Sequence, residues 1–328
     1  MAKFKAFRIY NEDGKVQARL VETTLEELDP GEVVIKTAYS SVNFKDALAA
    51  TGAGRIIRRF PCIGGVDVAG SVVSSTDARF KEGDAVLCTS YDFGVAHDGG
   101  YAEYARLPAD WVVRLPKGMS PLDAMSLGTA GFTAGLAVQR MEHEGLAPGN
   151  GPVIVNGATG GVGSIAIDIL ASAGYHVVAL TGKEAEADYL KRLGAKGIML
   201  RSSLDLSKIK PLDKATWAGA VDNLGGDVLS WLASTMKVGA PLASVGLAAS
   251  HTLNTTVMPF ILRGVSLLGI DSVNAPMPIR TRVWERLTTD LKPMHLTEMI
   301  STVGLEQLPS VFDKLLKAQM RGRTVVAL

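Results

Sequence analysis

Gly157, Gly160 and Gly163 stand at the junction between an apolar run, Val153-Ile154-Val155-Asn156, and an amphipathic run that begins at Gly161. Glycines at this spacing let the backbone turn sharply and approach a pyrophosphate, while the N–H groups at the start of the next helix face its negative charge. Val162, Ile165, Ala166, Ile169, Leu170 and Ala173 recur at steps of three and four, with Ser164, Asp168 and Ser172 between them. That period predicts a helix over 160–173. Strand, glycine turn and helix together read as a dinucleotide-binding unit, the alternative being a turn that binds nothing.

The next apolar run ends in Ala179-Leu180-Thr181-Gly182-Lys183. An acid about twenty residues past the glycine turn bonds a ribose 2′-hydroxyl, whereas a basic residue there accommodates a 2′-phosphate. No acid occupies the position. Lys183 stands where a helix is predicted to start, and the helix dipole disfavours a cation there, so its charge gains more from an anionic ligand. Arg201, after the third strand, offers a second positive group. NADP(H) is therefore the expected cofactor, the alternative being that both are solvated charges.

A second group of candidates lies at Asn43-Phe44-Lys45-Asp46. The Asn43 amide can orient a cofactor or substrate. Asp46, three residues on, can fix Asn43 or a water, or cap a helix that starts there. Lys45 reads as a solvated charge. Zn²⁺ needs three converging donors and an open position. The five histidines, at 97, 143, 176, 251 and 295, show no ligand spacing, and Cys62 and Cys88 form no CxxC pair. A metal-free site is expected. Without a Lewis acid the accessible chemistry is conjugate reduction: hydride adds to the β-carbon of an α,β-unsaturated thioester or ketone, and the enolate so formed needs hydrogen-bond donors and a proton.

The elements that must position these groups change character along the chain. Up to about residue 120 short β-like runs dominate: Lys3–Tyr10, Val16–Val21, Val33–Tyr39, Val68–Ser74, Ala85–Thr89, Ala102–Arg106 and Val112–Arg114, parted by turn clusters such as Asp29-Pro30-Gly31-Glu32. An all-β barrel is expected. Ser120-Pro121-Leu122-Asp123 then opens a helix. From 153 strands and helices alternate: Val153–Asn156, His176–Leu180, helix 184–193, Gly197–Leu200, Gly219–Asp222, helix 226–236, Pro241–Val245 and Val265–Ile270. Parallel strands need such crossovers. Helices near 279–291 and 305–319 and a strand Arg323–Ala327 follow. If that strand rejoins the first domain, a cleft between the two domains holds nicotinamide and substrate.

Composition excludes several classes. The 328 residues carry 34 basic and 33 acidic side chains and 6% aromatics, so neither a polyanion footprint nor a base-stacking surface stands out. No nucleic acid is expected as a partner. No run of eighteen uncharged apolar residues suggests a membrane span. The N-terminus alternates basic and apolar residues and reads as a strand rather than a signal peptide. Two cysteines build no disulfide framework, which suits a reducing cytoplasm.

The stretches Ser41-Val42-Asn43-Phe44-Lys45-Asp46, Gly83-Asp84-Ala85-Val86, Gly99-Gly100-Tyr101-Ala102-Glu103-Tyr104 and Gly128-Thr129-Ala130-Gly131-Phe132-Thr133-Ala134, with the glycine loop, resemble the medium-chain dehydrogenase/reductase superfamily in its quinone-oxidoreductase-like branch. Thr51-Gly52 through Phe60-Pro61, Thr256 to Arg263, Gly269 to Val273 and Gly322 to Val326 resemble, within it, the NADPH-dependent acrylyl-CoA reductases. The resemblance spans essentially the whole chain. It implies an α/β protein with a GroES-like β-barrel catalytic domain over 1–124, completed by 272–328, and a Rossmann doubly wound parallel sheet over 125–271, assembled as a homodimer. It also implies NADPH-dependent reduction of the C=C bond of an acrylyl-CoA (2-enoyl thioester) substrate by hydride transfer to the β-carbon, the alternative being reduction of a quinone or an α,β-unsaturated ketone. Cofactor contacts are then expected at Phe44, Thr133, Thr159, Gly160, Gly161, Val162, Thr181, Gly182, Lys183, Arg201, Leu247 and Ser272, with Asn43 and Asp46 in the catalytic group.

Zinc-dependent members place a Cys near the Asn43 position and Gly-His-Glu near Gly65-Val66-Asp67, and this chain has neither. Some relatives carry a Tyr where Phe44 stands. Phe44 cannot donate a proton, which leaves solvent, a ribose hydroxyl, Tyr91 or Tyr101 as the source. For the CoA phosphates, Arg55, Arg58, Arg59 and Arg323 are the candidate cations, since a planar guanidinium suits phosphate.

Overall fold

The computed structural model describes residues 3–328, and these divide into two compact units. One runs through Thr129 and adds Val273–Thr281 and Leu296–Leu328; the other holds Ala130–Ser272 and Arg282–His295. The expected return of 272–328 to the first unit is therefore interrupted. Trp284 stacks on Phe132 with ring centroids 6.1 Å apart, and Val283 and Leu287 pack against Gly135, so 282–295 is core to the second unit.

In the first unit a seven-stranded sheet has the order Ile300–Val303, Arg323–Ala327, Val33–Val42, Asp67–Ser75, Ala85–Thr89, Val113–Arg114, with Tyr104–Leu107 also pairing Val33–Val42. A three-stranded sheet joins Lys15–Thr23, Phe4–Glu12 and Cys62–Ile63. Alternation puts Val33, Ile35, Val68, Val72 and Val86 into one core, while Phe7, Ile9, Ile63, Tyr101 and Phe312 fill another. The terminal strand matters most for the site. It pairs antiparallel with Val33–Val42, Thr324 opposite Val42, and so delivers Arg323 to the neighbourhood of Asn43.

The second unit is a six-stranded parallel sheet in the order Gly197–Leu200, His176–Thr181, Pro152–Asn156, Gly219–Asp222, Pro241–Ser244, Ser266–Gly269. Counted along the chain this is 3-2-1-4-5-6, the dinucleotide-binding order, with its reversal between Pro152–Asn156 and Gly219–Asp222. Val153, Ile154 and Val155 have no exposed surface, as expected of a strand covered on both faces.

Several boundaries differ from expectation. Ala102 makes only an isolated bridge to Ala6, so its strand begins at Tyr104. The helix expected over 184–193 starts as a 3₁₀ turn, Glu184–Glu186, and becomes α only over Ala187–Arg192. The strands Cys62–Ile63 and Ile300–Val303 are too short to show a period. Among the described residues no helix is long and apolar enough to cross a membrane.

Candidate active site

Asp67 begins its strand with no exposed surface. A carboxylate cut off from water must be hydrogen-bonded. Ser41 Oγ donates to it at 2.5 Å, Asn43 Nδ2 at 2.7 Å, the Thr129 N–H at 2.9 Å and Thr129 Oγ1 at 2.5 Å. Thr129 can donate its N–H because Gly128, at φ 53° and ψ −154°, breaks the helix Pro121–His143 and starts it afresh. The new helix end then favours the negative charge. No other residue fits at 128: a Cβ there would lie 2.5 Å from Ser41 Oγ and 2.6 Å from Asp67 Oδ2.

Arg323 is the cation of this cluster. It is 3% exposed, so the expectation that it binds substrate at a cleft mouth is corrected. Its Nη2 donates to Ser41 Oγ at 2.8 Å, Nη1 to the Val42 carbonyl at 2.9 Å and to Asn43 Oδ1 at 3.2 Å, and Nε to the Ser126 carbonyl at 3.2 Å; Asp67 lies 4.0 Å away. Burial pulls its pKa below the ordinary value, and Asp67 and Asp46 oppose that pull.

Asn43 and Asp46 divide the work of a helix start. The Asn43 N–H donates to Asp46 Oδ2 at 2.8 Å, and the Asp46 N–H donates to the Asn43 carbonyl at 3.0 Å. The Asn43 side chain turns instead to Asp67 and Arg323. Asp46, also bonded by the Val66 N–H at 3.2 Å, is buried and acts on the site through Asn43. Burial, and then the nearby Asp67, push its pKa from 3.8 up to about 7. Phe44 begins the helix itself and is 46% exposed.

Of the two tyrosines considered as proton donors, Tyr101 has its hydroxyl hydrogen engaged, whereas Tyr91 is held as an acceptor. The Tyr101 hydroxyl is buried and donates to the Ser41 carbonyl at 3.2 Å, and burial raises its pKa well above the ordinary value. Tyr91 stacks on Trp111, lies under the Arg280 guanidinium at 4.3 Å and accepts from Arg280 Nε at 3.1 Å. The loop arginines are also engaged: Arg58 pairs with Asp92, and Arg59 with Asp29 while donating to the Ala96 carbonyl at 3.0 Å. Their guanidinium groups fasten this loop to residues 92–98 and to Asp29. Arg55 is exposed.

In the second unit, Thr181 ends a parallel strand, and Thr159 to Val162, Gly182, Lys183, Arg201, Leu247 and Ser272 follow the C-terminal ends of parallel strands. Ligands of open α/β sheets bind at that edge. Thr133 lies apart, buried within the helix Pro121–His143. The glycine loop leaves room for a phosphate only as glycine: Gly157 has φ +56°, and a Cβ on Gly163 would come within 2.3 Å of the Gly157 carbonyl oxygen. Nearby, a cavity of about 390 Å³ is lined by Gly182, Arg201, Gly225, Gly226, Asp227 and Ser250 among others. Arg201 stands 3.9 Å from where a Gly182 Cβ would fall and forms a wall, which Lys183 does not. This cradle fits a pyrophosphate and its adenosine arm.

The donors around Asp67 do not fit zinc. Its oxygens face O–H and N–H groups, and a guanidinium stands where a divalent cation would need an open approach. Among the described residues no three His, Cys, Asp or Glu side chains converge to hold a metal. The sequence reading passed over Asp67, Ser41 and Thr129 as members of a site. The signal available was a carboxylate at the head of an apolar strand, which must have partners.

Residues 29–117 match the alcohol dehydrogenase GroES-like domain family and residues 161–289 the zinc-binding dehydrogenase family. The chain is 48% identical to acrylyl-CoA reductase AcuI of Ruegeria pomeroyi over 96% of both chains. It is 47% identical to YhfP of Bacillus subtilis, which is named among quinone oxidoreductases, over 99% of both chains. The crystal structure of YhfP with NAD bound superposes with a TM-score of 0.98, covering 100% of each chain. That of the Salmonella enterica yhdH oxidoreductase in complex with NADP, 44% identical, superposes with a TM-score of 0.96 over 99% of each. With the GroES-like and Rossmann units, the dinucleotide strand order and near-full-length identity, this chain belongs to the medium-chain dehydrogenase/reductase superfamily, alongside AcuI and YhfP.

Proposed function

We propose that this enzyme reduces the C=C bond of acrylyl-CoA to give propionyl-CoA, using NADPH. The observation that carries the reading is the 48% identity to an acrylyl-CoA reductase across 96% of both chains. Bound in the crevice, NADPH would supply the hydride that adds to the β-carbon. The glycine loop at 157–163 would hold the pyrophosphate, and Arg201, rather than Lys183 alone, the 2′-phosphate. Asn43 has given its carbonyl to Arg323 and one amide hydrogen to Asp67, so its second amide hydrogen is the donor we assign to the thioester oxygen. Fixed by a buried ion pair and by Asp46, that amide needs little reorganisation as charge develops on the oxygen. Tyr101 spends its hydroxyl hydrogen on the Ser41 carbonyl, so solvent, a ribose hydroxyl or Tyr91 would deliver the α-proton. Arg55 is the loop cation we assign to CoA phosphate.

A quinone or enone oxidoreductase is the second reading, favoured by the 47% identity to YhfP. NADPH consumption against acrylyl-CoA, crotonyl-CoA and a quinone at matched concentrations separates them: the first reading expects the CoA esters to turn over fastest, and a dominant quinone rate would replace it with the second.

We further propose a homodimer. The edge strand Ser266–Gly269 exposes Leu267, and Val257, Ile261 and Leu262 beside and within the helix Met258–Arg263 are 58–71% exposed. Such apolar exposure beside an open sheet edge suits a second copy; a monomer by light scattering would refute it. The two buried free thiols suit the cytoplasm, to which we assign the enzyme.

A further inference from the structure

Asp222 ends the strand Gly219–Asp222 with no exposed surface, at the point where the strand order reverses. Each of its contacts is a donor. Asn156 Nδ2 and the Leu224 N–H, the latter at 3.4 Å, approach Oδ1, and the Gly225 N–H reaches Oδ2 at 2.9 Å. Asn156, equally buried, immediately precedes Gly157. Its Oδ1 accepts the Asn223 N–H at 2.6 Å, and its main-chain carbonyl accepts Asn223 Nδ2 at 2.7 Å. The Asn223 Cβ lies 3.0 Å from where a Gly157 Cβ would fall. The same turn anchors a third segment, since the Val245 N–H donates to the Asp222 carbonyl at 2.8 Å and the Ala249 N–H to the Leu224 carbonyl at 2.9 Å. One carboxylate thus joins the strand that enters the glycine loop to the backbone at Gly225, Gly226 and Asp227, which lines the 390 Å³ cavity.

We propose that Asp222 is a positioning residue for the dinucleotide: through Asn156 it fixes the glycine loop, and through Gly225 it fixes the cavity wall, each relative to the other. The proposal rests on the dinucleotide reading of the crevice. Asp222 touches no ligand itself. Burial pushes its pKa up, and the donors from Asn156, Gly225 and Leu224 hold it down. What matters is its geometry as a pure acceptor.

The test uses that property. Asp222→Asn turns an NH₂ group toward a donor, either at Asn156 or at Gly225. Combining it with Asn156→Asp restores the pairing, because Asp at 156 accepts from Asn at 222 and still accepts the Asn223 N–H. NADPH is titrated into the full-length protein by fluorescence, with Tm, KM and kcat measured in parallel. Asp222→Asn should weaken NADPH binding on the order of tenfold or more, the cost of a buried donor left unsatisfied, with kcat at saturating NADPH retained. The double variant should return to within about threefold of the parent. A folded Asp222→Asn protein that binds NADPH as tightly as the parent overturns the proposal. So does a double variant that regains Tm without regaining affinity. Should Asp222→Asn fail to fold, Asn156→Ala removes the amide through which Asp222 reaches the glycine loop, and unchanged NADPH affinity there overturns the proposal too. A parent protein that binds no NADPH removes the dinucleotide reading and this proposal with it, whereas binding by the parent and equal binding by every variant removes only the positioning role.

Discussion

The first unit makes its polar cluster from side chains, whereas the second lines its crevice with glycine backbone beside one arginine. Ser41, Asn43, Asp67, Thr129 and Arg323 meet around one buried carboxylate, and the ends of that network are 282 residues apart in the chain. The glycine loop gathers its N–H groups within a few residues of sequence, and glycine at 157, 160, 161 and 163 leaves that backbone open to approach. A charge network of the first kind fails all at once when one member leaves, since the remaining charge stays buried. A backbone cradle fails by steric intrusion.

The contrast orders what mutation should do. Arg323→Met leaves Asp67 buried without its cation, and denaturant unfolding should show about 3–5 kcal/mol of lost stability. A variant as stable as the parent would mean that the hydroxyl and amide donors satisfy Asp67 unaided. Gly163→Ala instead forces a methyl against the Gly157 carbonyl, a strain of about 1–3 kcal/mol concentrated on the loop. NADPH affinity should fall well beyond any change in Tm. If both fall together, the loop is as structural as the cluster and the contrast is lost.

Arg201→Ala sharpens the cofactor side. Loss of a charge-assisted contact to phosphate is worth about 1.5–3 kcal/mol, so KM for NADPH should rise on the order of tenfold or more while that for NADH holds. Equal changes would move the 2′-phosphate contact away from Arg201, with Lys183 the next residue to test. Asp46 offers a smaller, pH-dependent effect. An acid whose pKa is raised on folding is held protonated by the fold, so raising the pH through the interval costs stability. Compared with Asp46→Asn, the parent should lose stability between pH 3.8 and about 7 and then level off. A flat difference across that range would show that Asp46 ionises as freely in the fold as out of it.

Smallest of all is Arg59→Ala. Its pair with Asp29 is partly solvated, so less than about 1 kcal/mol is at stake, and KM for the CoA ester should barely move. A large rise in that KM alone would return the loop to the substrate site.

The same difference decided what could be read from sequence. The strands Gly197–Leu200, Gly219–Asp222 and Arg323–Ala327 have the bounds their patterns predict, and the glycine loop announces its fold because spacing and flanking periods are local signals. Nothing local marks Arg323 as a buried cation rather than a phosphate ligand. Only the pairing of Thr324 with Val42 reveals it. The partners of Asp67 come from Ser41, Asn43 and Thr129, none of them near it in sequence, and Thr129 is available only because Gly128 breaks a helix. Residues 282–295 pose a similar problem: an amphipathic helix states that it has a core, not which one.

On the proposed reading, hydride passes from NADPH to the β-carbon of acrylyl-CoA. Turnover with NADPH carrying deuterium at both C4 positions, followed by mass spectrometry of the thioester, tests it most directly. The expected product is propionyl-CoA with a single deuterium at C3 and protium at C2. Deuterium at C2, or NADPH oxidised rapidly by a quinone with no propionyl-CoA formed, would contradict it.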